Sequence, residues 1–129
     1  MSKDTLLILD VADRPGRIGI FEGGNSIIWY PLAEGAGSRK IVETVHVFLR
    51  QRKLKLSQVS AFMSVTEGSS FTGMRLGASV ANACAWALGR VAIAVTAGAS
   101  IDQIRAAYKS AKPNALIEIL YPSPIILRS

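Results

Sequence analysis

The residues of this chain able to do chemistry are few, and most sit near two turns. Asp10 and Asp13 follow an apolar run, and Glu67 opens the loop Gly68-Ser69-Ser70. Carboxylates beside a turn can hold a divalent cation or serve a nucleotide, so Asp10, Asp13 and Glu67 outline a small nucleotide- or metal-dependent hydrolase. Against that, the segment after Asp10 lacks the glycine and hydroxyl pattern of a phosphate-binding turn. Gly68-Ser69-Ser70 ahead of a helix can cradle an anion on free backbone N–H groups, although Glu67 would repel one. A capping role for Ser70 or Thr72 is the competing reading. The lone histidine, His46, has no second ligand one helical turn away, so no helix-borne metal pair exists. Nothing in the sequence places Ser70 beside it for a nucleophilic triad. Cys84 lies mid-helix among alanines and reads as a small buried hydrophobe. As the single cysteine it makes no internal disulfide, which fits a reducing cytoplasm.

The elements that must position these groups follow from length and patterning. A chain of 129 residues, half apolar and 19% charged, is one domain with a self-sufficient core rather than a disordered segment. No apolar run reaches the ~18–20 residues of a membrane span, and the N-terminus lacks a signal-peptide layout. A cytoplasmic location is therefore expected. Leu6, Leu7, Ile8 and Leu9 predict a buried strand. Turns at 13–16 and 23–25 then separate two more strands, one around Ile18, Ile20 and Phe21 and one over 26–30, giving an antiparallel meander. Ser38 reads as the N-cap of a helix to about Lys53. A strand over 57–65, a helix over 72–88, a strand over 91–96 and a helix over 98–110 capped by Ser100 follow, with a last strand over 116–120 and an extended tail. The order β-β-β-α-β-α-β-α-(β) is an α/β layout of ribonuclease-H-like or actin-like type. Residues 1–111 form that domain, and 112–129 form the closing strand and tail.

Two features suggest partners. The helix over 72–88 is apolar or small around most of its circumference, and Gly73, Gly77, Ala81 and Ala85 sit four apart along one face. Such a row lets another backbone approach closely, and part of this apolar arc exceeds what the chain's own sheet needs. Another subunit is the expected cover; enclosure between the sheet and the other helices is the alternative. The second feature is charge. Of a net +6, the segment from Arg39 to Lys55 carries +5, through Arg39, Lys40, Arg50, Arg52, Lys53 and Lys55 against Glu43. Arg50, Arg52, Lys53 and Lys55 are candidate nucleic-acid contacts, the alternative being a solvated helix face. Only Phe48 among the aromatics falls in this cluster, so sequence-specific reading of bases is not expected.

The stretch Glu67-Gly68-Ser69-Ser70-Phe71-Thr72-Gly73-Met74-Arg75-Leu76-Gly77 resembles the Gly-Pro-Gly-Ser-Phe-Thr-Gly-Leu-Arg-Ile-Gly signature of the TsaB (YeaZ) family. Ser70, Phe71, Thr72, Gly73, Arg75 and Gly77 match it outright. The lead-in differs, and Asp10-Val11 stands where the family's first strand ends in Asp-Thr. The terminal Pro124-Ile125-Ile126-Leu127-Arg128 is similar to the Pro-x-Tyr-Leu-Arg tail of full-length members, which usually carry a second actin-like domain. The resemblance therefore implies a compact form lacking that domain. It also implies a non-catalytic subunit, without cofactor, in synthesis of threonylcarbamoyl-adenosine on transfer RNA. The implied partners are a TsaD-like catalytic subunit, a TsaE-like ATPase and, in the protein alone, a second copy; transfer RNA is met only within the complex. Association through the first two helices would use Ile41, Val42, Val45, His46 and Leu49 on the first. On the second it would use Met74, Gly77, Ala78, Ala81, Cys84, Ala85 and Leu88. Besides the hydrolase, a homodimeric domain outside transfer RNA modification remains a competing reading.

Overall fold

A computed structural model describes residues 4–13 and 15–119. The expected tail, Leu120 of the expected last strand, and Arg14 of the first turn lie outside the described residues.

The apolar run near the N-terminus becomes β1 (Leu6–Asp10), the central strand of a five-stranded sheet ordered β3-β2-β1-β4-β5. Its residues need no alternation because both faces of the strand are covered. Leu7 and Leu9 enter a core shared with the first two helices, while Leu6 and Ile8 enter the core beneath the third. β2 (Arg17–Phe21) and β3 (Ile28–Pro31) complete the antiparallel meander. β4 (Ala61–Val65) and β5 (Val91–Val95) extend the sheet in parallel on the other side of β1. Three helices connect and cover it, α1 (Ser38–Gln51), α2 (Phe71–Leu88) and α3 (Ile101–Ser110). Each helix runs back against the parallel strands, so all three begin at one end of the sheet and finish at the other.

The α/β order expected from the sequence is the observed one. Ser70 and Ser100 cap α2 and α3, accepting hydrogen bonds from the Gly73 and Gln103 N–H groups at 3.0 and 3.1 Å. Ser38 does not cap α1; Gly37 holds that position and Ser38 is the first helical residue. The start of the expected strand over 57–65 is instead a 3₁₀ turn, Leu56–Gln58, closed by the Lys55 N–H donating to Gln58 Oε1 at 2.7 Å. The last strand over 116–120 is not formed across its described residues. There the Asn82 side chain on α2 takes the place of a strand partner. Its amide donates to the Ile117 carbonyl at 2.8 Å, and its oxygen accepts the Ile117 N–H at 2.7 Å. With those backbone groups satisfied, no ladder with β5 is needed beyond a single bond from Ala92 N–H to the Ala115 carbonyl. Ile117 is buried in the core with α1 and α2, so the segment around it packs with the helices.

Helix α2 lies unusually close to the sheet. A side chain at Gly77 would overlap the Ser64 hydroxyl of β4 and come within 2.8 Å of Val11 Cγ2. Ser64 Oγ is fully buried and has no hydrogen-bond partner among the described residues. An unsatisfied buried hydroxyl costs about 1–3 kcal/mol. Ser64→Ala is therefore expected to stabilise the domain by about 1 kcal/mol in denaturant unfolding. It should also soften the penalty of Gly77→Ala, because the Ser64 Cβ lies at an ordinary 3.7 Å from that site. A destabilising Ser64→Ala would contradict this.

Candidate partner-binding face and signature loop

The loop between β4 and α2 is shaped by what leaves the end of β1. Ser70 donates its N–H to the Ala12 carbonyl at 2.8 Å, and Ser69 donates both N–H and hydroxyl to Asp13 Oδ1, at 2.8 and 2.6 Å. Three glycines make room for this strand exit. A Cβ at Gly68 would sit 2.6 Å from the Ala12 carbonyl oxygen, one at Gly73 would overlap that of Val11, and Gly77 faces the Val11 side chain. The small-residue row of α2 thus receives the chain's own β1 and β4, not a second subunit. Gly73, Gly77, Ala81 and Ala85 are all buried in the fold, which overturns their reading as an open docking face.

This geometry also removes the anion cradle. The carboxylate bound by the loop is Asp13, whose carboxyl is held below the usual range chiefly by the Ser69 hydroxyl and then by the Ser69 N–H. Asp10 is paired with Arg17 at 2.9 Å, and Glu67 Oε1 accepts the Ala97 N–H at 3.4 Å. The three acids are thus engaged in three separate contacts, and no group of three metal-ligating side chains occurs among the described residues. His46 stands on the exposed side of α1 with no hydrogen bond to Ser70, whose hydroxyl caps α2. Of the signature residues, Gly73 is buried and Thr72 exposed, and the Arg75 guanidinium lies 5.8 Å from the centroid of the Phe71 ring.

Residues expected to face a partner divide sharply. Ile41, Val45 and Leu49 on α1, and Gly77, Ala78, Ala81 and Ala85 on α2, are core residues packed within the chain itself. They are withdrawn from any partner because both helices turn these sides to the sheet. Met74 points toward a small apolar hollow with Phe71 and Ile119, and Leu88 packs against the core. Val42, His46 and Cys84 retain exposure. Val42 and Cys84 line an apolar groove between the helices together with Val80, Ala83 and Ser79, rimmed by Arg39 and Glu43. Burial pushes the Cys84 thiol up, which lowers its thiolate fraction. The sequence does not single out Ser79 and Ala83, because a serine reads as polar and Ala83 is one of many small residues in a broad apolar arc. Trp86, 78% exposed, stands on the same outward side. Arg50, Lys53 and Lys55 are exposed, and Arg52 lies 3.6 Å from Glu22. No helix of the described residues is long and apolar enough to cross a membrane.

The sequence matches no family model and no curated protein. Two solved structures from Pseudomonas aeruginosa are similar to it. One, described as an uncharacterized protein with similarity to peptidase YEAZ, has a TM-score of 0.64 at 24% identity, over 72% of this chain and 43% of that one. The other, YeaZ, has a TM-score of 0.61 at 26% identity, over 72% of this chain and 44% of that one. This chain therefore has the YeaZ-like (TsaB-like) architecture and spans less than half the length of these structures.

The Asp13–Ser69 contact fixes a pH dependence. A carboxyl whose pKa is lowered by folding adds stability above its unfolded pKa, about 3.9, and loses that contribution as pH falls through the folded value. Asp13→Ala should lower the denaturant midpoint at about pH 7, and the difference from the parent should narrow toward about pH 2.5. An unchanged difference across that range would refute the contact.

Proposed function

We propose that this chain is a non-catalytic scaffold subunit of the machinery that makes threonylcarbamoyl-adenosine on transfer RNA. It docks a TsaD-like subunit, or a second copy of itself, through the α1/α2 face, with a TsaE-like ATPase as a further partner of the assembly. The observation that carries this reading is the apolar groove of Val42, Ala83 and Cys84, floored by the buried Val80, between two helices whose sheet-facing sides are already buried. Arg39 and Glu43 sit one turn apart at its rim and 3.5 Å from each other. In a twofold pair of copies, each would meet its opposite charge across the interface. The similarity of architecture to YeaZ and the residues of the 67–77 loop support the family's role. The engagement of Asp10 by Arg17, Asp13 by Ser69 and Glu67 by the Ala97 N–H supports a scaffold over a hydrolase.

Light scattering on the protein, alone and mixed with a TsaD-like subunit, tests the reading. An arginine placed in the groove should act directly, since Ala83 is exposed and its substitution leaves the core intact. Ala83→Arg is expected to weaken association at least about tenfold, the effect of losing one well-packed anchor. Cys84, lining the groove, should be shielded from a bulky maleimide in the complex and accessible in the free chain. A protein that stays monomeric and also leaves the TsaD-like subunit unbound contradicts the proposal.

A further inference from the structure

The fold sorts charge between its two ends in a way the linear sequence does not display. Asp10, Asp13, Glu34, Glu67 and Asp102 lie at the end where the three helices begin, in the strand exits, the loops or a first helical turn, with Arg17, Arg39 and Lys40 among them. At the opposite end α1 finishes through Arg50 and Arg52 into Lys53 and Lys55. α2 gives way there to Arg90, and α3 closes with Lys109 and Lys112. Among the described residues, Asp4 and Glu22 are the acids that oppose them there. Glu22 is 3.6 Å from Arg52, and Asp4 accepts the Tyr108 hydroxyl at 3.2 Å.

Helix ends explain part of this. Arg50 and Lys109 lie in last turns, where a cation offsets the partial negative charge of the terminal carbonyls. Lys53, Lys55, Arg90 and Lys112 stand beyond the ends, and among the described residues no carboxylate pairs with them. Arg90 is held in place by backbone alone, donating to the Val59 and Ser57 carbonyls at 3.1 and 3.0 Å. Fixed, unneutralised cations spread across one end of a rigid sheet form an electrostatic footprint for a polyanion.

We propose that this end of the domain binds the phosphate backbone of RNA without regard to sequence. A nucleic acid suits it better than a lipid surface, because α1 and α3 turn most of their apolar side chains into the core and Val47 is the one large apolar residue of either helix left exposed. Trp86, in the last turn of α2, offers an open ring on which a base can stack. The proposal goes beyond docking, since it needs no second protein.

Fluorescence anisotropy with a labelled, unstructured RNA of about 20 nucleotides tests it, from about 50 to about 200 mM salt. Binding should weaken steeply as salt rises. Lys53→Glu with Lys112→Glu should reduce affinity at least about tenfold, and Arg39→Glu with Lys40→Glu, the same charge change at the other end, less than about twofold. Trp86→Ala should weaken RNA at least about fivefold, and Ala83→Arg should not weaken it, so that failure of docking and failure of RNA binding are separable. Circular dichroism melts verify that each variant is folded. Equal losses from the two charge-reversal pairs would overturn the proposal. So would no binding at low salt, or tighter binding to phosphatidylserine vesicles than to RNA.

Discussion

Everything in this domain is hung on the contact between the exit of β1 and the turn that starts α2. The Val11-Ala12 backbone lies where side chains at Gly68 and Gly73 would have to be, with the Ser70 N–H bonded to the Ala12 carbonyl. Forcing side chains into so close a packing costs about 1–3 kcal/mol per site. That contact sets how near α2 comes to β1 and β4. It thereby decides which side of α2 is inside and which is left to the solvent.

The consequence for chemistry is subtraction. Donors at the start of a helix bind phosphate when they are free, but here the Ser69, Ser70 and Gly73 N–H groups are answered by Asp13, Ala12 and the Ser70 hydroxyl. Asp13 and the Ser69 hydroxyl fasten the strand exit to the loop, while Asp10 pairs with Arg17 on β2 and Glu67 accepts the Ala97 N–H. The described residues also present two surfaces, an apolar groove between α1 and α2 and a cationic end where the helices finish. The proposed scaffold role rests on these two surfaces.

Local signals carried the fold well. The serine caps of α2 and α3, the buried run of β1 and the turn glycines each act within a few residues, so the sequence alone discloses them. Tertiary choices were hidden. The spacing of Gly73, Gly77, Ala81 and Ala85 announces that a backbone comes close, yet it cannot say whose; β1 and β4 supply it. Alternating apolar residues after 115 look like a strand, but Asn82, more than thirty residues away, answers their backbone. The basic run near α1 was visible, whereas its union with Arg90, Lys109 and Lys112 needed the sheet topology.

Amide hydrogen exchange at Ser69, Ser70 and Gly73 tests the central claim most directly, that the signature loop is an internal fastening rather than a ligand site. The account predicts slow exchange at all three, unchanged when inorganic phosphate or ATP with magnesium is added. Fast exchange in the free protein that becomes slow on adding either ligand would contradict it.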